Sequence, residues 1–367
     1  MKIKKILLAS LIAVVACGSC QNNASQSLSS SGSLERGKTP KYLKTAADSL
    51  WATAAADSLE IHSMMIVNNG KVIYEDWRNG GDPNTKHILN SVSKTFTSMA
   101  VGMAIAEGKL SLEDRIVDIF PEYLPDSISS NLKAMNVRHL LTMTCGHASD
   151  PTRDMQEIAK TDSTLNWVKQ FLSYPVKYRP GEIYCYNSVG TFMLSAIVQK
   201  LTGEKLIDYL TPRLFEPLGI EDPCWEESKE GICYGGWGLY LKTEDLAKAG
   251  QLLLQRGKWN GKQIIPENWV AEMSRMQVES APAGMNLVEL AEDFEKEIDP
   301  DWIQGYGYQM WMCRNNAFRA DGARGQFIIV VPALNSVVAM TANTTHMQTE
   351  LNYVWRYILP ALSRYNK

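Results

Sequence analysis

Apolar and polar positions alternate along "HSMMIVNNGKVIYEDWRN", on both sides of Asn68-Asn69-Gly70. The period of two predicts a β-hairpin, with Asn-Gly supplying the turn. The preceding segment, "TPKYLKTAADSLWATAAADSLEI", is rich in Ala and Leu and reads as a helix. After the hairpin comes "LNSVSKTFTSMAVGMAIAEGKLS", starting at Leu89, where small and apolar residues fill three turns. It predicts a helix of about 17 residues with Gly108 as its stop.

Helical patterns continue through the middle of the chain. Ser111 with Asp114 makes a capping box before "IVDIF". "NVRHLLTMTCGHASD" is a short helix and glycine turn, "STLNWVKQFLSY" a helix, and "SVGTFMLSAIVQKLTGE" a buried helix stopped by Gly203. "LIDYLTPRLFEPLGI" mixes helix and turn. Thr243 is placed to cap "EDLAKAGQLLLQRG", whose first turn carries Glu244 and Asp245. "WNGKQIIPENWVAEM" is a turn followed by a helix. The acidic stretch "LAEDFEKEIDPD", within residues 281–301, reads as a solvated helix.

The pattern then returns to strands. "YGYQMWMCR", "AFRADG", "GQFIIVVP" and "NSVVAMTANT" are successive antiparallel strands, with Pro332 to Asn335 as a turn, and "LNYVWRYILPALSRY" is a terminal helix. Strands at both ends can share one antiparallel sheet, with the helical region, about residues 95–235, inserted between them as a lobe. The fold class is α+β, and a cleft between the two lobes is the expected place for a site.

The N-terminus has a different character. Lys2, Lys4 and Lys5 precede "ILLASLIAVVA", which is too short to span a bilayer. Residues 1–16 read as a secretory signal. Val14-Val15-Ala16-Cys17 resembles a bacterial lipobox, with Cys17 the lipidated residue and Cys20 a weaker candidate. A lipid chain would tether the protein to a membrane without spanning it. Residues 17–39, rich in Ser, Asn, Gln and Gly, are then a linker, and residues 40–365 the folded domain. The expected location is the bacterial cell envelope.

Composition narrows the partners. The net charge is −3 in 367 residues, with no long basic run, which points away from nucleic acid. The five histidines lie at no metal-binding spacing, so no metal or other cofactor is implied. Beyond Cys17 and Cys20 the cysteines are Cys145, Cys185, Cys224, Cys233 and Cys313; only Cys224 with Cys233 suggests a pair.

The candidate chemistry lies in Ser91-Val92-Ser93-Lys94. Three residues is nearly one helical turn, so Ser91 and Lys94 share a face. A helix N-terminus beside Ser91 would favour an alkoxide and an oxyanion. A lysine becomes a base at neutral pH when burial lowers its pKa. The tetrapeptide alone is weak, because about one or two chance matches fall in a chain of this length. A second one, Ser130 to Lys133, opens no long apolar helix and reads as chance. Three further stretches add weight: "RPGEIYCYNSVG" with Tyr186, "YGGWGLYLKTEDLAKAGQLLL", and the glycine-bearing strand edge "ADGARGQFIIVVP".

In order and spacing these stretches resemble the serine β-lactamase and penicillin-binding protein superfamily. The similarity is strongest to the branch with class C β-lactamases, D-alanyl-D-alanine carboxypeptidases and related esterases, and it covers residues 40–365. The resemblance implies a β-lactamase/transpeptidase-like fold, an antiparallel sheet flanked by helices with an all-helical lobe. It implies Ser91 as the acylated nucleophile, Lys94 as its base, and Tyr186 as the residue that passes a proton to the leaving group. Ser188 stands where the Tyr-x-Asn motif usually has Asn and supports Lys94. The third motif falls at Ala320-Asp321-Gly322, and the Ala323 amide joins that of Ser91 as the oxyanion hole. Ala320 replaces a residue that normally holds the substrate carboxylate. Arg319 or Arg324 nearby is a candidate substitute, and Trp237 a candidate cleft wall. Strong β-lactamase activity is not expected.

Cys185 reads as a packing thiol and His147 as a loop residue. The expected activity is an exported serine hydrolase cleaving a small ester or amide. A D,D-carboxypeptidase acting on peptides, a β-lactamase and a non-catalytic sensor or binding lipoprotein of the same fold are the alternatives.

Overall fold

The computed structural model describes residues 32–280 and 301–365. The predicted hairpin is present: β1 (Ile61–Asn68) and β2 (Lys71–Trp77) pair antiparallel across Asn69 and Gly70, whose φ values are 50° and 79°. Two left-handed residues match the twist of the flanking strands. Helix α1 (Lys41–Ala56) precedes it.

Three short strands, β3 (His87–Ile88), β4 (Cys224–Trp225) and β5 (Leu239–Leu241), form a small sheet in the order β3-β5-β4. β6 (Lys258–Trp259) and β7 (Lys262–Gln263) make a separate small hairpin. At the end of the chain come β8 (Trp311–Met312), β9 (Phe318–Gly322), β10 (Gln326–Val331) and β11 (Ser336–Ala342). The large sheet has the antiparallel order β2-β1-β11-β10-β9-β8. Its first two strands come from the start of the domain and its other four from the end, joined where Met65 faces Ala339.

Period two sorts the side chains of this sheet to its two faces. Met64, Ile66, Phe327, Ile329, Val338 and Met340 pack against α1 and the terminal helical segment, through Leu50, Leu351 and Ile358. Met65, Val67, Ile328, Val330, Val337 and Ala339 face the opposite way, onto the Thr243–Leu254 helix and the helical lobe. All of β10 and β11 is buried, which explains their unbroken apolar runs.

The stretch read as one long helix divides. Asn90–Val92 is a 3-10 turn, and α2 (Ser93–Ala106) follows. Every residue of α2 from Ser93 to Ala104 is buried, its polar first turns as well as the apolar stretch from Met99. Its polar side chains tie it to both lobes. Thr95 Oγ1 donates to Gln309 O at 3.1 Å and Thr97 Oγ1 to Gly235 O at 2.9 Å, while Ser93 Oγ accepts from Leu239 N–H at 3.2 Å.

Two expectations on the framework are corrected. Thr243 is the first residue of its helix rather than its cap; its hydroxyl pairs with Ser63 Oγ at 2.7 Å, and Asp245 accepts from Lys242 N–H. Cys224 and Cys233 form no disulfide, and the five cysteines among the described residues are free. The acidic helix read within 281–301 falls, apart from Asp301, outside the described residues, as do the secretory signal and Cys17. Asp301 itself is fully buried, ion-paired with Arg314 at 3.0 Å.

Candidate active site

Backbone geometry at Asn90 sets the position of Ser91, the candidate nucleophile. Leu89 N–H donates to Leu239 O at 2.8 Å, anchoring the chain to β5, and Asn90 then adopts φ 48°. Asn tolerates this left-handed conformation better than most residues. The chain turns sharply there and presents Ser91 half-buried at the end of α2.

Lys94, one turn on, is 1% exposed. Its Nζ lies 2.9 Å from Ser91 Oγ, 3.0 Å from Ser188 Oγ and 2.8 Å from Gly236 O. Burial pushes its pKa down to about 7, against the opposing pull of Asp150 and Asp321. An ammonium would donate to all three oxygens. A neutral amine has two protons and one lone pair, so it can donate to Ser188 and Gly236 while accepting from the Ser91 hydroxyl.

Tyr186 approaches Ser91 from the other side. Its hydroxyl lies near that of Ser91, and burial raises its pKa above the ordinary phenol value, so it keeps its proton. The ring is stacked on Trp311 at 5.5 Å and set edge-on to Tyr306 at 6.2 Å. Lys94 Nζ lies 4.9 Å from its centroid. This aromatic packing fixes the phenol where the serine needs it.

Neighbouring residues in "YNS" divide the remaining work. Asn187 is fully buried and caps the Ser188–Thr202 helix through Oδ1, which accepts from Gly190 N–H at 2.9 Å. Its amide donates to His147 Nδ1 at 3.1 Å. Ser188, one position on, turns its hydroxyl to Lys94. His147 lies in a loop, as expected, but is buried there; burial lowers its pKa to about 4, so it stays neutral. The Cys185 thiol is pushed up by burial and remains protonated at neutral pH. In the second Ser-x-x-Lys, Ser130 and Lys133 are both exposed.

The third motif reaches the turn at Ser91 through its backbone. A Cβ at Gly322 would collide with Leu89 O and lie 3.1 Å from Val92 N, so glycine alone lets β9 come this close. Asn90 Nδ2 donates to Ala323 O at 2.7 Å across the same gap. Ala320 is buried and presents only a methyl group. Arg319 is not available to a substrate, which corrects the sequence expectation. It is 0% exposed, donates to Asp321 Oδ2 at 2.8 Å, and lies over Trp302 and Trp311. Arg324 is exposed at the β9–β10 turn with φ 70°, and forms no ion pair among the described residues.

Trp237 follows Gly236 directly. It is partly buried, stacked on Tyr234 at 4.6 Å and packed near Trp167 at 5.8 Å.

Sequence reasoning missed the Gly236 carbonyl, the Trp311 platform, Asp150 and the Asn90 contact. Only "YGGWG" carried a signal, since paired glycines often mark a close backbone approach. Among the described residues no cluster of three or more His, Cys, Asp or Glu could hold a metal, and no helix is long and apolar enough to cross a membrane.

The profile of the family described as Beta-lactamase matches residues 54–363. The chain is 23% identical over 292 residues to the 6-aminohexanoate-dimer hydrolase of Paenarthrobacter ureafaciens, across 75% of this chain and 71% of that one. Its fold is similar to the octameric penicillin-binding protein homologue from Pyrococcus abyssi. That match has a TM-score of 0.66, 19% identity, and covers 87% of this chain and 77% of the other. It is also similar to EstCE1, a hydrolase with promiscuous acyltransferase activity, with a TM-score of 0.67 and 17% identity over 86% of this chain and 99% of that one. The match over most of the domain places this chain in the beta-lactamase family, as a serine hydrolase.

Proposed function

We propose that the protein is an exported, lipid-anchored hydrolase that cleaves a small ester or amide through an acyl-enzyme on Ser91. The observation that carries this reading is the 2.9 Å contact between Ser91 Oγ and a buried Lys94 whose pKa is near 7. Neutral Lys94 takes the Ser91 proton as Oγ attacks the carbonyl carbon. The carbonyl oxygen, now negative, is held by the amides of Ser91 and Ala323. Tyr186 gives its proton to the departing oxygen or nitrogen, and the Lys94 ammonium beside its ring offsets the phenolate charge. Water then gives a proton to the Tyr186 phenolate as it attacks the acyl carbon, the C–Oγ bond breaks, and Lys94 returns its proton to Ser91 Oγ.

The charge pattern leaves Arg324 as the cation nearest the third motif that a substrate carboxylate could meet. Ala320 offers no cation, and Arg319 is committed to Asp321. Arg324 and Trp237 are the remaining candidates for contact with the substrate. Export rests on residues 1–16, and anchoring at the cell envelope on Cys17.

Intact-mass measurement after exposure to a fluorophosphonate tests the nucleophile. One adduct is expected on the native protein and none on Ser91→Ala; no adduct on folded native protein would favour a binding module. A stable adduct with labelled penicillin would favour the peptidase. Cys17→Ser should move the protein from the membrane fraction to the soluble one.

A further inference from the structure

We propose that Asn90 is a positioning residue for the oxyanion site, its side chain setting the spacing between the Ser91 and Ala323 amides. This rests on Ser91 being the nucleophile. The two amides belong to segments more than two hundred residues apart in sequence, and among the described residues β9 pairs with β8 and β10, not with the Asn90–Val92 turn. Two local features hold them together. Gly322 lets the strand edge close onto Leu89 O and Val92 N without a side chain between them. The Asn90 amide then donates to Ala323 O at 2.7 Å. That carbonyl terminates the residue whose N–H serves the oxyanion, so the bond fixes the orientation of its backbone. The φ of 48° at Asn90 aims the side chain across the gap while turning Ser91 into the cleft. One residue therefore sets both the nucleophile's turn and its distance from the second amide donor.

A donor displaced by a fraction of an ångström loses stabilisation of the tetrahedral state more than of the bound ester. Asn90→Gly keeps the backbone conformation without strain and removes the bond. Asn90→Asp keeps a tolerated left-handed residue but sets a carboxylate oxygen against Ala323 O. With p-nitrophenyl acetate, both variants should lose about tenfold or more in kcat while KM stays within about twofold. Affinity for phenylboronic acid, which forms a tetrahedral adduct on the serine, should fall in parallel. Melting curves identify a variant that fails to fold, and the other then carries the test. Native kcat and native boronate affinity in a folded variant would overturn the proposal. So would a loss carried by KM with boronate affinity unchanged. Ser91→Ala separates the two levels: if it still hydrolyses the ester, the nucleophile assignment itself fails.

Discussion

Ser188 Oγ stands 3.0 Å from Lys94 Nζ, while Asn187 beside it is spent on capping the helix that follows. The hydroxyl accepts from the lysine in either protonation state but binds the ammonium more strongly. Ser188→Ala should therefore make Lys94 easier to deprotonate. The acidic limb of kcat/KM should move to lower pH by about one unit, the equivalent of one hydrogen bond to a charged group. Ser188→Asn, with an acceptor oxygen in reach, should restore much of the native profile. A pH–rate profile on one ester substrate checks both.

Lys94 itself sets the rising limb. Its folded pKa is near 7, below the ordinary value of about 10.4. Acylation should rise as pH passes through about 7, because only the neutral amine accepts the Ser91 proton. Stability follows the same sign. Between about 7 and 10.4 the unfolded chain binds the proton and the folded one does not, so this group's contribution to stability grows with pH across that window. Lys94→Met should be inactive yet more resistant to urea at pH 6 to 7, with the gain shrinking towards pH 10. No gain at neutral pH would argue against a depressed lysine.

Arg319 and Asp321 form an ion pair with almost no exposure. Removing one member strands the other charge in the interior, which costs about 3–5 kcal/mol. Arg319→Met should lower the melting temperature sharply. Combining it with Asp321→Leu should recover part of the loss, because the stranded carboxylate disappears. Equal destabilisation in the single and double variants would contradict this account.

Glu350 is fully buried, and both its carboxyl oxygens lack a hydrogen-bond partner among the described residues. It backs onto Gly325 in the β9–β10 turn. Burial, reinforced by Asp321, pushes its pKa well up. For an acid shifted upward, stability is fullest below the unfolded value of about 4.3 and is lost as pH rises towards the folded one. Glu350→Gln removes the ionisation. It should match the native protein near pH 4 and exceed it in urea resistance at pH 7.

The strands and helices were legible because their patterns are local. The Asn-Gly hairpin, the apolar runs of β10 and β11, and the glycine stop at Gly203 each follow from a few neighbouring residues. Ser91, Lys94, Tyr186 and Ser188 were readable only because their spacing resembles a known family. Arg319 was misread because its sequence neighbourhood beside Gly322 suggested the cleft. Strand alternation instead sends its side chain to Asp321 and the Trp302 ring. Asn90 left no mark, since its role depends on a contact with a residue far along the chain, and the paired glycines at Gly236 marked only a close backbone approach. Thr243 looked like a cap because hydroxyl residues often are; here Ser63 claims the hydroxyl.

The joining of β1 to β11 has a consequence for how the chain matures. Translation delivers Ser91, Lys94 and Tyr186 well before β8 to β11 exist. Until the last strands dock beside β1, the serine has its base but no opposing backbone amide. On the proposed mechanism, Ser91 is thus made before its anion site and should be silent during synthesis. Ester turnover would then report that the segment from Phe318 to the end has found its place, and a nascent chain stopped before Phe318 should be inert.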